Sequence, residues 1–320
     1  MVTKMGAAFV FPGQGSQFVG MGQALHAAFP VARQVFEEVD AALGQKLSGL
    51  MFEGPEAELT LTANAQPALM AVSLATKRVL ESETGLDLKK HVSFVAGHSL
   101  GEYSALAAAG TLTITDTALL LRVRGSAMQA AVPAGLGAMA ALIGLDFADA
   151  AAVAKEAAQG DVCQAANDNG GGQVVISGHR AAVERAMELA KLKGAKRAIL
   201  LPVSAPFHCT LMSPAADAMR DALAGVSLMP PKIPVVCNVL AGPSSDPDEI
   251  RTNLVRQVTG TVRWRESVQW MGAQGIDRFF EIGAGKVLTG LLKRIVPDAQ
   301  GFSMGSPEDI AAFPDALGLT

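Results

Sequence analysis

Short apolar runs alternate along this chain with longer stretches in which apolar residues recur at helical spacing. Residues 7–11, 92–96, 233–239 and 278–282 read as buried strands. Residues 31–42, 67–81, 103–109 and 261–271 read as helices. So do a segment capped by Thr115-Asp116 and running to about Met128, and one running to Arg294. From residue 137 the elements shorten: strand 138–145, helix 146–159, strand 162–166, strand 173–177, helix 181–193 and strand 196–201. A turn, Asn167-Asp168-Asn169-Gly170-Gly171-Gly172, separates the two middle strands. The order βαββαβ is that of a ferredoxin-like unit. The pattern predicts an α/β chain in which a small subdomain, residues 132–203, is inserted into a larger one made of 1–131 and 204–320. The stretch after Phe302 carries no clear signal.

The chain has 320 residues, half of them apolar, with much Ala and Gly and few aromatics, a composition suited to helices packed closely on a sheet. No apolar run approaches the ~20 residues of a membrane span, and the apolar start, cut off at Pro12, is too short for a signal peptide. Cys163, Cys209 and Cys237 are far apart and lack metal-ligand spacing, so a reducing, cytoplasmic setting is expected. A net charge of −4 argues against nucleic acid as a partner.

The run 92–96 leads into Gly97-His98-Ser99-Leu100-Gly101, and a helical run leaves it. Gly-x-Ser-x-Gly between a strand and a helix is the pattern of a nucleophile elbow, a turn so sharp that the serine hydroxyl stands exposed at its tip. Glycine is needed on either side because the flanking backbones come too close for a Cβ, and the helix start beneath favours negative charge. The five-residue pattern alone is weak. Gly301-Phe302-Ser303-Met304-Gly305 also matches it, but no strand is predicted to enter there, and Ser306-Pro307-Glu308-Asp309 reads as an ordinary helix cap.

His208, in the proline-bounded loop from Pro202, is the candidate base. The elbow would aim His98 away from the hydroxyl, His26 reads as a helix-surface residue, and His91 and His179 lie at element ends. No acidic residue stands nearby as an evident third member. Pro12-Gly13-Gln14-Gly15-Ser16-Gln17 follows the first strand, yet the third glycine of a dinucleotide fingerprint would fall on Phe18 and no phosphate-loop lysine follows. Two readings remain. One is an oxyanion loop, with Gln14 supplying the N–H that partners that of Leu100; the other is a tight turn without a duty. Arg124 is flanked at helical spacing by Leu120, Leu121, Ala127 and Met128, unlike Arg122, so it projects from an apolar face. A guanidinium there needs a partner, either an internal Asp or Glu or a substrate carboxylate.

Several motifs then coincide. Phe11-Pro12-Gly13-Gln14-Gly15-Ser16-Gln17, Gln66-Pro67-Ala68-Leu69, Gly97-His98-Ser99-Leu100-Gly101-Glu102, Pro206-Phe207-His208 and Glu281-Ile282-Gly283-Ala284-Gly285-Lys286-Val287-Leu288 stand in one order. With them the chain resembles the malonyl-CoA:acyl-carrier-protein transacylases of fatty acid synthesis, over nearly everything from residue 7 to about 296. The resemblance implies a hydrolase-like large subdomain with a ferredoxin-like small one. It assigns Ser99 as nucleophile, His208 as base oriented by the backbone carbonyl of Gln257, and the N–H groups of Gln14 and Leu100 as oxyanion hole. Arg124 becomes the clamp on the malonyl carboxylate, with Met128 beside it and Phe207 shaping the α-carbon pocket. Malonyl-CoA and acyl carrier protein are the implied partners, with no cofactor or metal and a monomer as the default. Ala284 departs from the family, which often has Pro there. Lys191, Lys193, Lys196 and Arg197, or Lys286, Lys293 and Arg294, are candidate docking clusters for an acidic carrier, against the alternative of solvated helix charges. The rivals are a serine hydrolase, which needs neither Arg124 nor the first loop, an acyltransferase of polyketide or malonate metabolism, and a carrier-binding protein without catalysis.

Overall fold

The computed structural model describes residues 6–319. A six-stranded sheet runs in the order β10 (Gln300–Met304), β9 (Ile276–Ile282), β1 (Gly6–Phe11), β2 (Phe94–Gly97), β7 (Val235–Cys237), β8 (Gly242–Ser244). Its strands pair in parallel, except that β8 runs against β7. The strands are apolar on both faces because helices cover both. On β1, Ala7, Phe9 and Phe11 enter one core while Ala8 and Val10 enter another on the opposite face.

The second sheet has four strands in the order β4 (Cys163–Asp168), β5 (Gln173–His179), β3 (Gly137–Ile143), β6 (Arg197–Leu200), all antiparallel. With the helices Phe147–Ala158 and Arg180–Leu192 it forms the βαββαβ unit. The molecule is therefore an α/β fold with a hydrolase-like large subdomain and a ferredoxin-like small one. Alternation along β3 divides two environments: Ala138, Ala140 and Leu142 pack under the unit's own helices, while Met139 and Ala141 face the main core. Val262, between the helices Pro247–Thr259 and Trp264–Ala273 of the large subdomain, ties it to β4 of the small sheet, accepting the Asp168 N–H at 2.9 Å and donating to the Ala166 carbonyl at 2.8 Å.

Local signals misplaced several boundaries. The helix expected from Pro67 begins at Thr62 and runs to Thr84 with the proline inside. Pro67 gives up one backbone hydrogen bond there, but every residue from 65 to 76 is buried, and that packing outweighs one bond. The helix Ile114–Ala130 is capped by Thr113, not by Thr115-Asp116; the Thr113 hydroxyl accepts the N–H of Asp116 at 3.0 Å. β4 extends through Asn167 and Asp168, which were expected in the turn. The strand expected over 233–239 shrinks to Val235–Cys237. Edge strand β10, which reaches into the stretch after Phe302, was not expected, whereas the cap read at Ser306-Pro307-Glu308-Asp309 does start the helix Pro307–Leu317, through a capping box between Ser306 and Asp309. Ser303, in the second Gly-x-Ser-x-Gly match, lies within β10 with its hydroxyl 3.1 Å from that of Thr289. No element was expected over the helix Pro247–Thr259, which carries Gln257, although Asp246 caps it and Ile250, Leu254 and Val258 recur on its buried face.

Candidate active site

β2 ends at Gly97 and the helix Gly101–Ala108 begins four residues later, with Ser99 at the tip in the left-handed region, φ 54°. A Cβ on Gly97 would lie 1.9 Å from the Gly101 carbonyl carbon, and one on Gly101 would lie 2.3 Å from the Phe11 oxygen. Only glycine fits at either place. Asn238, just past β7, pins the turn from the side: its Nδ2 donates to the Gly97 carbonyl at 2.7 Å and its Oδ1 accepts the Ser99 N–H at 2.8 Å.

His208, 4% exposed, is also left-handed, with φ 59°. Its Nε2 stands 2.7 Å from Ser99 Oγ, and its Nδ1 stands 2.9 Å from the backbone oxygen of Gln257. A carbonyl can only accept, so the neutral ring carries its hydrogen on Nδ1 and leaves Nε2 free to take a proton. Burial, reinforced by the charge of Arg124, pushes this imidazole down to about 3. The ring is thus an unprotonated base at neutral pH.

Arg124 is 1% exposed. Its Nη1 donates to Gln66 Oε1 at 2.8 Å, and its Nη2 to Gln257 Oε1 at 2.9 Å and to Ser99 Oγ at 3.1 Å. The ring of Tyr103 lies beneath, 5.7 Å from the guanidinium carbon. Among the described residues no carboxylate comes within ion-pair distance of it. Burial lowers its proton affinity, but a guanidinium is so strong a base that it stays charged. A buried cation held only by neutral acceptors, and leaving N–H donors unused, is built to receive an anion.

Ser99, Arg124 and His208 open onto one cavity of about 480 Å³ between the two sheets. Gln14, Leu100, Met128 and Phe207 line it too, with Met139, Ala141 and Val175 from the small sheet opposite. Gln14 accepts a hydrogen bond from Thr62 Oγ1 through its side chain at 2.7 Å. Among the described residues neither its backbone N–H nor that of Leu100 is taken by another group. Met128 is buried behind Arg124 with its sulfur 3.8 Å from Gln66 Nε2. Gln257 lies behind the cavity wall, fully buried. His98 points away from the serine and meets Asn169 Oδ1 at 2.9 Å. Sequence reasoning missed three participants. Gln66 and Glu102 stood inside quoted motifs without a role, and Asn238 carries no local signal at all. Among the described residues no three His, Cys, Asp or Glu side chains gather as a metal site.

A serine at a strand–helix elbow, an imidazole on its hydroxyl and a hydrolase-like sheet behind them define the class of serine acyl-transfer enzymes. Within that class the chain belongs to the acyl transferase domain family, which matches residues 8–305. It is 49% identical over 305 residues to the malonyl CoA-acyl carrier protein transacylase of Escherichia coli K12, covering 95% of this chain and 97% of that one. The acyl-carrier-protein-S-malonyltransferase of Bartonella henselae, solved by crystallography, is 60% identical with a TM-score of 0.96, covering 98% of this chain and all of the other. A malonyl-transacylase solved in complex with a type II PKS acyl-carrier protein is 45% identical with a TM-score of 0.94, covering 98% and 100% of the two chains. Among the described residues no helix is long and apolar enough to cross a membrane.

Proposed function

We propose that this enzyme moves the malonyl group of malonyl-CoA to the phosphopantetheine thiol of acyl carrier protein, through a malonyl ester on Ser99. The observation that carries this reading is Arg124: a buried guanidinium without a carboxylate partner, 3.1 Å from the serine hydroxyl. The terminal carboxylate of a malonyl group is separated from the reacting carbonyl by a single methylene. A cation beside the nucleophile, rather than at the far end of a pocket, suits an acid of that length. An acetyl group would leave the cation unpaired.

In the first step Ser99 passes its proton to His208 Nε2 and its oxygen attacks the thioester carbonyl. The oxyanion is received by the N–H groups of Gln14 and Leu100, each worth about 3 kcal/mol of barrier. As it collapses, the carbon–sulfur bond breaks and His208 returns the proton to the departing CoA thiolate. In the second step the carrier thiol gives its proton to His208, its sulfur attacks the ester carbonyl, and Ser99 leaves with that proton. The Gln257 carbonyl replaces the acid of a triad: it fixes the tautomer without a charge. No cofactor enters these steps. Phe207, buried at the cavity wall, narrows the space beside the α-carbon and disfavours a branched acyl group. The residues of the small subdomain, 132–203, close the acyl pocket from the opposite side. Acyl carrier protein is the acceptor class supported by the relatives, one of them solved with such a carrier.

The test is intact-protein mass after brief exposure to malonyl-CoA or acetyl-CoA. Wild type is expected to gain a malonyl adduct that Ser99→Ala lacks, and Arg124→Ala to lose the preference for malonyl over acetyl. Free malonate in place of an adduct would instead identify a hydrolase.

A further inference from the structure

Gln257 uses both of its ends. Its backbone oxygen holds His208, while its side-chain amide lies between Arg124 and Glu102: Oε1 accepts from Arg124 Nη2 at 2.9 Å, and Nε2 donates to Glu102 Oε2 at 2.8 Å and to the Ser99 carbonyl at 3.0 Å. The direction of this amide is dictated by chemistry. A guanidinium only donates and a carboxylate only accepts, so the oxygen must face Arg124 and the nitrogen must face Glu102.

Glu102 is 1% exposed, and among the described residues no Lys, Arg or His lies within ion-pair distance of it. Its Oε2 also accepts the N–H of Asn238 at 2.9 Å, and its Oε1 has no partner. Two buried groups of opposite charge therefore face one another across one amide. A direct Arg124–Glu102 pair would saturate the guanidinium and compete with an incoming carboxylate. With no acid nearby, the buried cation would be left uncompensated. The interposed amide avoids both, because the attraction persists in a low-dielectric interior while the donors of Arg124 stay free. On the other side, Gln66 is oriented in a similar way, its Nε2 donating to Thr62 Oγ1 at 3.0 Å and leaving Oε1 for Arg124.

We propose that Glu102 is a specificity-determining positioning residue, which orients the Gln257 amide and, through it, holds the Arg124 guanidinium ready for the substrate carboxylate. This rests on the malonyl-transfer reading. Burial raises the Glu102 carboxyl to about 7, so it supplies at least part of a negative charge at neutral pH. Acetyl transfer needs Ser99 and His208 but not the clamp, so the two acyl donors separate this role from a structural one.

The experiment measures kcat and KM with malonyl-CoA and with acetyl-CoA for wild type, Glu102→Gln, Glu102→Met, Gln257→Met and the double variant Glu102→Met/Gln257→Met. Glu102→Met is expected to raise the malonyl KM and to cut the malonyl-to-acetyl ratio of kcat/KM by about ten- to a hundredfold, the range for hydrogen bonds to charged groups. Glu102→Gln keeps an acceptor oxygen and recovers part of the ratio. The double variant should lose no more selectivity than Gln257→Met alone, because both act on one guanidinium. If kcat falls equally for both donors with the ratio unchanged, Glu102 only supports the elbow through Asn238, and the proposal is overturned. Additive losses in the double variant would overturn it as well. Should Glu102→Met not fold, Glu102→Gln and Gln257→Met read the same ratio. A wild type without malonyl preference would sink the malonyl-transfer reading itself.

Discussion

At the residue scale, two strained backbones face each other: Ser99 at φ 54° and His208 at φ 59°. Each costs of order 1–3 kcal/mol unless its surroundings enforce it, and here Asn238 and the Gln257 carbonyl do so. The depressed proton affinity of His208 has two consequences. Folding stability carries a contribution that is complete above about pH 6.5, where the unfolded ring is also neutral, and is lost as pH falls toward about 3, because only the unfolded chain takes up the proton. Acylation, likewise, should not follow an ordinary imidazole titration. In Glu102→Gln, where the carboxyl that burial raises to about 7 is absent, the rate of malonyl-adduct formation is expected to stay level from about pH 8 to about pH 5.5. An acid limb near 6.5, the unperturbed histidine value of roughly that size, would show that burial does not hold the ring neutral. Ser99 and His208 were legible because the glycines and prolines around them mark unusual backbone. Asn238 was not, since an asparagine 139 positions from the serine becomes its partner only when β7 is laid beside β2.

At the scale of elements, the same five-residue pattern occurs twice with different outcomes. Gly97 and Gly101 sit where the strand and the helix of the elbow close on backbone, whereas Gly301 faces the side chains of Leu292 and Thr289 on edge strand β10, and Gly305 just past it closes on the Gly283 carbonyl, with no helix turning back on the serine between them. Gly97→Ala is expected to destabilise by about 3 kcal/mol or more, at or beyond the upper end of ordinary overpacking, read as a fall in Tm or in soluble yield. Ser303→Ala removes one partly buried hydroxyl contact, costs at most about 1 kcal/mol, and should leave adduct formation unchanged. Comparable behaviour of the two variants would mean that the strand–helix context does not distinguish them. The boundary errors share a cause. Pro67 and Thr115-Asp116 carry genuine local start signals, but the burial of 65–76 and the closer hydroxyl of Thr113 override them.

At the scale of the whole molecule, the cavity exists because Met139, Ala141 and Val175 of one sheet face the elbow of the other. It is lined on one side by Leu201, Pro202 and Val203, which follow β6, and on another by Val287 at the start of the helix Val287–Ile295. Lys196 and Arg197 stand exposed on the first side, Lys286 and Arg294 on the second. Lys191 and Lys193 are already paired with Glu188 and Glu156, which favours the solvated reading for them. Lys286→Glu with Arg294→Glu is expected to raise KM for an acidic carrier about two- to fivefold, a typical rim-charge effect, and less at high salt. KM for malonyl-CoA should not move. The same change at Lys191 and Lys193 should have no effect on either. A carrier KM that ignores the first pair would remove that face from the docking surface.

The sequence by itself determined the class of fold and the positions of the chemistry. Apolar strand runs and helical patterns, with glycine where only glycine fits, are local features of the sequence, and a chain keeps them wherever it goes. What the tertiary structure decided is how the buried charges are compensated. From periodicity, Arg124 had either an internal acid or a substrate anion as partner; the fold puts two glutamine amides where the internal acid would stand, one of them backed by Glu102, and leaves the place of the anion open. No local pattern encodes that arrangement. It joins residues 66, 102, 124 and 257, which come together only when the helices bearing them pack around the elbow, and low dielectric then makes each orientation count.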